Sequence, residues 1–264
     1  MHYIRKGTGK PLLLIHGLGG SWRSWEPVFE NLSKERDVIA IDLPGFGMSE
    51  PLKGPVTIGT LADAVTAFLN EHGLSGIDAV GSSMGARLVL ELARRRNVLG
   101  AVVSLDPGGF WQGWERHALF VSFSVSIKII RALQDILPGL TRSELGRKAL
   151  FAQLSAHPGR ISPSLALSEL RDYATSPSFD ELLYNLVYGE DQKGIPKGTL
   201  DKPLVIAWGL SDYVCFPGQA QLAMDLFGDA RLYWFKDCGH FPHWDSPQET
   251  VKLILHATSS ANSV

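Results

Sequence analysis

Short apolar runs recur toward both ends of the chain, and their residues are apolar in succession instead of alternating with polar ones. The runs are PLLLIHG at 11–17, DVIAIDLPG at 37–45, IDAVGSS at 77–83, GAVVSLDPGG at 100–109, PLVIAWG at 203–209 and ARLYWF at 230–235. This pattern is typical of strands in a parallel sheet that has helices on both of its faces. Stripes of helical period lie between the runs, after Thr57, from Met84 to about Arg96, over about 218–227 and from Ser246 to His256. This alternation predicts an α/β fold with a doubly wound, mostly parallel sheet.

The alternation of strand and helix stops between Gly109 and Lys202, where helical patterns and turn residues occur without a convincing buried strand. Three segments there begin with serine or Ser-Pro and continue with helix-forming residues: SELGRKALFAQLSA, SPSLALSELRDYA and SPSFDELLYNLVYG. Serine before a helix and proline in its first turn are typical of helix N-termini. We predict a core domain of residues 1–109 and 201–264 and an inserted helical lid (cap) of residues 110–200.

The most apolar part of this insertion is HALFVSFSVSIKIIRALQDIL at 117–137. Serines, a lysine and an arginine interrupt it at Ser122, Ser124, Ser126, Lys128 and Arg131, which argues against a membrane span. We interpret this segment as a largely buried element, with contact to a membrane surface as the alternative.

The composition is that of an ordinary globular protein, with 264 residues of which 45% are hydrophobic and 20% are charged. A formal net charge of -2 provides no basic surface excess, so the chain lacks the electrostatic footprint of a nucleic-acid binder. We expect a small-molecule partner, no nucleic acid, no stable membrane insertion, and either a monomer or a homodimer.

The N-terminus MHYIRKGTGKPLLLIHG has no apolar stretch of signal-peptide length before a small-residue cleavage site. Cys215 and Cys238 are too few and too isolated for a disulfide framework, and no Cys-x-x-Cys or histidine-rich spacing suggests a metal site. We therefore predict a cytoplasmic protein that uses neither a metal nor another cofactor.

The segment IDAVGSSMGARLVLEL at 77–92 contains Gly-x-Ser-x-Gly at the point where the strand pattern gives way to a helical one. Small residues at such a junction can simply let the strand and the helix pack closely. A strand-turn-helix junction with this motif is also the nucleophile elbow, in which a serine hydroxyl is exposed in a strained turn. We predict Ser83 as the nucleophile, and Ser82, one residue before the centre of the motif, is the alternative.

A serine hydroxyl needs a base that takes its proton, and with this elbow an acid and then a histidine follow later in the chain. His240 lies in KDCGHFPHWDSPQE, in a loop just past the strand ARLYWF, and is the predicted base. His243 is the weaker candidate because it faces another direction if the last helix has begun. Asp212 follows the strand PLVIAW and is the predicted acid, with Asp106 at the end of VVSLDP as its competitor.

The oxyanion of a tetrahedral intermediate needs two hydrogen-bond donors. The residue after the nucleophile provides the Met84 N–H, and the loop HGLGGS after the first long strand is expected to provide the Leu18 N–H. His16 in that loop is expected to make structural hydrogen bonds. The candidates for lining the substrate pocket are aromatic residues of the lid, a type that more often serves for packing: Trp111, Trp114, Phe120, Phe123 and Tyr188.

Five segments together resemble the α/β-hydrolase superfamily, and specifically its lidded group of esterases, carbon-carbon hydrolases, epoxide hydrolases and haloalkane dehalogenases. The segments are HGLGGS, DLPGFGMS, GSSMGA, GLSD and GHFPHWDSP, in the family's order and over nearly the whole chain. The family's N-terminal strands are shortened here to HYIRKG. The epoxide hydrolases and dehalogenases that resemble this chain carry an aspartate nucleophile, so Ser83 argues against those two activities.

The resemblance and the motifs together predict a serine hydrolase, most simply a carboxylesterase that cleaves small or medium carboxylic esters through an acyl-enzyme. Hydrolysis of a carbon-carbon bond in a ring-cleavage dienoate is the first alternative. Relatives with that activity bind the acidic substrate through a lid arginine, for which Arg171 is the candidate here. A perhydrolase side activity is a further alternative. A small-molecule receptor with a hydrolase fold is the alternative from another class, and it would show little or slow turnover.

Overall fold

A seven-stranded sheet forms the centre of the computed structural model, which describes residues 1–259. Its strands are β1 (Tyr3–Lys6), β2 (Pro11–Ile15), β3 (Asp37–Ile41), β4 (Ile77–Ser82), β5 (Leu99–Leu105), β6 (Leu204–Gly209) and β7 (Arg231–Phe235). They lie in the order β1-β3-β2-β4-β5-β6-β7, with β1 antiparallel to β3 and all other neighbours parallel. The predicted α/β class and mostly parallel sheet are confirmed.

The sheet reverses its winding direction at β2. The chain passes from β2 to β3 on one side and then crosses to β4 on the other side of β2. In open α/β sheets, ligands bind in the crevice outside the carboxyl ends of the strands at such a switch point. The loops that follow β2 and β4 leave the sheet at this crevice.

Helices cover both faces of the sheet and fill the chain between β5 and β6. They are α1 (Glu26–Leu32), α2 (Ile58–Glu71), α3 (Met84–Arg94), α4 (Trp114–Ala132), α5 (Leu137–Arg142), α6 (Glu144–Phe151), α7 (Pro163–Thr175), α8 (Phe179–Tyr188), α9 (Ala220–Leu226), α10 (Pro242–Asp245) and α11 (Pro247–Ala257). One apolar cluster joins α2 and α3 to Leu13 and Ile15 of β2, and a second joins α1 and α11 to Leu12 and Leu14. Because successive side chains of a strand point to opposite faces, a strand covered on both sides needs an unbroken apolar run.

Local sequence signals explain where α2 begins. Thr57 Oγ1 accepts a hydrogen bond from Thr60 N at 3.1 Å, and Thr60 Oγ1 accepts one from Thr57 N at 2.9 Å. This reciprocal pair satisfies two backbone donors that the first turn of a helix leaves without partners. The apolar stripe that follows, with Leu61 and Val65, is buried against the sheet.

Between residues 106 and 203, all of which the structure describes, five helices (α4 to α8) form the insertion that interrupts the core. Serine caps two of them, since Ser143 accepts a hydrogen bond from Gly146 N and Ser162 accepts one from Leu165 N. Ser178 makes no such bond at the start of α8. The limits 110–200 that the sequence predicts for a lid enclose these helices, and the division into two domains stays a prediction.

The helix α4 is far more exposed than its sequence suggests. Of its residues, all of which the structure describes, Leu119 and Ile127 are buried, whereas Val121, Val125 and Ile129 are 45%, 50% and 51% exposed. The prediction of a largely buried element is wrong, because α4 packs by one side on α7 and α8 and no further layer covers its other side. Within residues 1–259, no helix combines the length and the apolarity that a membrane crossing needs.

Two carboxyl groups of α7 join the insertion to the segment just before α1. Glu169 accepts a hydrogen bond from Ser24 Oγ, and Asp172 accepts one from Ser21 Oγ, both at 2.7 Å. Glu169 is 1% exposed, and burial, reinforced by the negative charge of Asp172, raises the pKa of Glu169 to about 8. Burial likewise raises the pKa values of Asp172 and Tyr173. Glu169 is therefore largely neutral at pH 7.

We expect Glu169→Gln to remove a pH dependence of folding stability. Burial holds the proton of Glu169 up to about pH 8 in the folded chain, whereas the unfolded chain loses it near the ordinary value of 4.5. The folded state binds more protons in this window, so wild-type stability falls as the pH rises from 4.5 to 8. Glutamine keeps an oxygen for Ser24 and does not titrate. The free energy of unfolding of Glu169→Gln, relative to that of the wild type, should therefore increase with pH, by about 3–5 kcal/mol at pH 8.

Thermal melts of the variant and the wild type at pH 5 and pH 8, at equal ionic strength, measure this effect. Glu30→Gln is the control for a carboxyl group at the surface, because the side chain of Glu30 on α1 is 67% exposed and pairs there with Lys6. Glu30→Gln should change the pH dependence of Tm far less than Glu169→Gln does. If Glu169→Gln behaved in the same way, Glu169 would not be held neutral by burial.

Candidate active site

Ser83 lies in the turn between β4 and α3, with φ 57° and ψ −115°. A positive φ strains a residue with a side chain and persists where its surroundings hold it. A Cβ on Gly81 would lie 2.1 Å from Gly85 O, and a Cβ on Gly85 would lie 2.4 Å from the carbonyl oxygens of Ile15 and His16. Both glycines are therefore required by close backbone contacts, and the junction has the geometry of a nucleophile elbow.

Ser83 is the first member of a hydrogen-bonded chain of three side chains. His240 Nε2 lies 2.7 Å from Ser83 Oγ, and His240 Nδ1 lies 2.8 Å from Asp212 Oδ2. Asp212 Oδ1 accepts hydrogen bonds from Val214 N at 2.7 Å and Cys215 N at 3.0 Å, which hold the carboxylate in place. An acid in this position keeps the proton on Nδ1 and leaves Nε2 free to accept the serine proton. The structure thus brings together the three predicted residues, from the loops after β4, β6 and β7.

Asp106, the competing acid, lies after β5 and has a different set of contacts. It is fully buried, with φ 48°, and its Oδ1 accepts a hydrogen bond from Gly209 N at 2.7 Å. Its Oδ2 has no hydrogen-bond partner within residues 1–259. Burial, together with the negative charge of Asp212, raises the pKa of Asp106 well above its ordinary range. The surroundings of Asp106 thus favour its neutral form, whereas Asp212 is the acid that contacts the imidazole.

The other candidate residues make no comparable contacts. Ser82 is 1% exposed, and its Oγ has no partner in the described part of the chain. His243 is fully buried, neither of its ring nitrogens has a partner there, and burial lowers its pKa to about 3. His16 Nε2 accepts a hydrogen bond from Leu43 N at 3.0 Å, and its Nδ1 donates to Gly17 O at 2.7 Å, as expected of a structural residue.

Leu18 and Met84 border the space in front of Ser83. Met84 is the first residue of α3, so its N–H has no acceptor inside the helix. The loop that carries Leu18 lies against the nucleophile, because a Cβ on Gly17 would be 3.2 Å from Ser83 Cβ. The positive end of the α3 dipole also favours negative charge at this place. The assignment of the Leu18 and Met84 N–H groups as oxyanion donors stays a prediction.

Two of the cavities that the described residues form meet at Ser83. The larger has a volume of about 660 Å³ and the smaller about 320 Å³, with their mouths included. The larger cavity is lined by Leu18, Ser83, Phe123, Ser126, Ile127, Ile130, Leu150, Gln153, Leu154, Leu170, Tyr173, Phe179, His240 and Phe241. The smaller cavity is lined by Leu18, Ser83, Met84, Trp111, Leu119, Phe123, Leu183, Leu186 and Val214. Among these described lining residues there is neither a lysine nor an arginine.

Three of the five aromatic residues predicted to line the pocket do not line either cavity. Trp114 is 71% exposed at the start of α4, and Tyr188 is 43% exposed at the end of α8. Phe120 packs on Tyr188, with ring centroids 5.2 Å apart. The prediction is wrong for these three, because the sequence did not indicate which side of α4 and α8 turns toward Ser83. Trp111 and Phe123 do border the cavities, and their contact with a substrate stays a prediction.

The aliphatic part of the cavity walls was missed at the level of sequence. Ile127 and Ile130 of α4 lie four and seven positions after the predicted Phe123, which places all three on one side of a helix. That spacing was the available signal. Arg171, the candidate for binding an acidic substrate, is exposed and lines neither cavity.

One group of potential metal ligands occurs within residues 1–259, and it overlaps the hydrogen-bonded chain. Asp212, Cys215 and His240 each offer a ligand atom, all within 4.8 Å of one another. Asp212 and His240 already hydrogen bond to each other, and burial raises the pKa of the Cys215 thiol well above its ordinary range. Since the thiolate is the form that binds metals, this group is poorly suited to hold one.

The fold agrees with comparisons to known proteins. The family model for the alpha/beta hydrolase fold matches residues 10–247. The chain therefore belongs to the α/β-hydrolase family, as its motifs predict, and this membership supports hydrolase activity.

Two curated relatives and one solved structure illustrate the range of the family. The chain is 27% identical to the dihydrolipoyllysine-residue acetyltransferase component of the acetoin cleaving system of Cupriavidus necator. The match covers 96% of this chain and 65% of that protein, so this chain spans just under two thirds of the relative. It is 24% identical to the 2-hydroxy-6-oxo-6-phenylhexa-2,4-dienoate hydrolase of Comamonas testosteroni, over 97% and 90% of the two chains. A thermophilic esterase from Thermogutta terrifontis superposes with a TM-score of 0.74 at 21% identity, over 97% and 91%. At that identity the structural likeness shows the fold alone.

Proposed function

We propose that this protein is a serine carboxylesterase that hydrolyses neutral, apolar esters through an acyl-enzyme. The observation that carries the proposal is the hydrogen-bonded chain from Ser83 Oγ through both nitrogens of His240 to Asp212 Oδ2, at 2.7 and 2.8 Å. These distances lie within the range in which a base can take the proton of a nucleophile.

The proposed reaction has two stages. His240 takes the proton of Ser83 as the hydroxyl oxygen attacks the ester carbonyl, while the Leu18 and Met84 N–H groups stabilise the oxyanion. The imidazolium then returns the proton to the departing alcohol, which leaves an acyl group on Ser83. Water attacks this acyl-enzyme by the same route, and the carboxylic acid is released.

The apolar surroundings of Ser83 favour an ester over a ring-cleavage dienoate. A dienoate is an anion, and an anion in a dry cavity needs a cationic partner to offset the cost of removing it from water. The described residues that line the two cavities include no lysine or arginine, and Arg171 is exposed elsewhere. We also propose a cytoplasmic location, which the free, buried Cys215 and Cys238 support.

We expect a fluorophosphonate probe to label the folded protein at Ser83. The reagent forms a stable adduct with a serine whose proton a neighbouring histidine removes, and here that serine is Ser83. Peptide mapping by mass spectrometry after labelling measures the result. An adduct on Ser82, or the absence of labelling on folded protein, would contradict the proposal. Continuous release of product from an ester in the same preparation would exclude a receptor, which turns over slowly or not at all.

A further inference from the structure

Ser83 lies where two apolar cavities meet, and the walls of the two cavities differ in one chemically decisive respect. They share Leu18, Ser83 and Phe123. His240 lines the larger cavity and is absent from the described lining of the smaller one, whereas Met84 lines the smaller cavity and not the larger. The base and one predicted oxyanion donor thus line different cavities.

The position of the base decides which part of an ester enters which cavity. The tetrahedral carbon carries four groups: Ser83 Oγ, the oxyanion, the alkoxy oxygen and the acyl chain. The alkoxy oxygen must lie within hydrogen-bond reach of His240 Nε2, because this atom delivers the proton with which the alcohol departs. The alcohol part must therefore extend into the cavity that His240 lines, and the acyl chain must extend to the other side.

The two cavities also differ in the length of chain that they can hold. The smaller cavity has about half the volume of the larger one, at about 320 against about 660 Å³. Leu119, Leu183 and Leu186 on its wall are all buried, so an acyl chain that outgrew it would have to displace packed side chains. Trp111 is held rigidly on the same wall, since its Nε1 donates a hydrogen bond to Val214 O at 3.2 Å.

We propose that the smaller cavity binds a short acyl group and the larger cavity binds a longer apolar alcohol, so that the preferred substrates are short-chain acyl esters of long apolar alcohols. This inference rests on the proposed esterase function and adds the orientation of the substrate to it. In each turnover Ser83 Oγ forms a bond to the acyl carbon, the bond from that carbon to the alkoxy oxygen breaks, and the alcohol leaves with the proton that His240 took from Ser83. Water then supplies the hydroxyl of the released short-chain acid.

Two ester series with the wild-type protein test the orientation. The first keeps p-nitrophenol as the leaving group and lengthens the acyl chain from acetyl to decanoyl. The second keeps the acetyl group and lengthens the alcohol from ethyl to octyl, with acid release followed by pH-stat. In the first series kcat/KM should fall at least tenfold beyond about four acyl carbons. In the second series it should rise about fourfold for each added methylene until the larger cavity is filled, as burial of a methylene predicts.

A pair of matched variants, one for each cavity, tests the assignment residue by residue. Leu186 lines only the smaller cavity and Leu170 only the larger, and both are buried. Leu186→Ala should shift the acyl optimum to longer chains and leave the order of the alcohol series unchanged. Leu170→Ala should change the alcohol series and leave the acyl optimum unchanged. Each variant is the control for the other, because general destabilisation would lower all rates of a series without moving its optimum.

The possible outcomes separate this inference from the proposed function. Turnover that rises with acyl length and falls with alcohol length would overturn the orientation while leaving the esterase function intact, and so would exchanged effects of the two variants. If neither variant folded, the two wild-type series would still decide. Failure to hydrolyse any ester in either series, together with no phosphonate adduct on Ser83, would remove the esterase function and this inference with it.

Discussion

Asp212→Asn is expected to lower kcat on a short-chain ester about 10⁴-fold, as the same change does in a serine protease. The carboxylate of Asp212 lies 2.8 Å from Nδ1 of His240 and holds the proton there. Asparagine has no negative charge to stabilise the imidazolium, and its amide group can face Nδ1 with its own N–H. The tautomer in which Nε2 accepts the proton of Ser83 then loses its advantage.

Asp106→Asn is the matched comparison, and we expect it to lower kcat by less than about tenfold. Burial and the negative charge of Asp212 raise the pKa of Asp106 and so favour its neutral form, which asparagine resembles in shape and charge, and asparagine retains the oxygen that accepts from Gly209 N. Steady-state rates for both variants on one ester, with circular dichroism as a check on folding, make the comparison. A 10⁴-fold loss in Asp106→Asn with Asp212→Asn nearly intact would mean that His240 uses the other acid. Comparable losses would mean that one of them acts through its loop.

Ser83→Ala should lower kcat by a factor on the order of 10⁶, which is the scale seen when the nucleophile of a serine protease is removed. The variant keeps the oxyanion donors and the cavities but has no oxygen that can form the acyl-enzyme. It should fold like the wild type, because the lost hydroxyl belongs to the hydrogen bond with His240 and not to the packed core. Ester hydrolysis at high enzyme concentration, measured against the buffer rate, determines the loss.

Ser82→Ala is the control for that measurement. Ser82 is the neighbouring serine, and its buried Oγ has no partner among the described residues. Its removal leaves no other polar group without a partner, so kcat should change by less than about threefold. Substantial hydrolysis by Ser83→Ala, or a large loss in Ser82→Ala, would transfer the role of nucleophile to Ser82.

Local signals in the sequence predicted the sheet and the elbow well, because each rests on short-range constraints. The unbroken apolar runs indicated buried strands, and Gly81 and Gly85 marked a junction where only a hydrogen fits. The sequence also indicated Asp212 and His240 as partners of Ser83, since the motif GLSD and the histidine loop follow apolar strands.

The orientation of the inserted helices could not be predicted from the sequence, because it depends on contacts between distant segments. Apolar residues lie on several sides of α4. The packing of the helix places Phe123 in the cavity wall and leaves Val125 exposed to solvent. The identity of the acid, Asp106 or Asp212, likewise depends on contacts between distant segments. Both follow buried strands, and only the folded arrangement shows which carboxylate contacts His240.

The residues of the site are far apart in the chain, so they come together only when the whole sheet has folded. Ser83 and His240 are 157 positions apart, and His240 follows the edge strand β7, which joins the sheet beyond β5 and β6. Contacts of such long sequence separation form late, because closing a large loop costs entropy before any contact compensates for it. During refolding, hydrolytic activity should therefore return after most helical structure has formed, and an ester assay reports completion of the sheet more strictly than far-ultraviolet circular dichroism does.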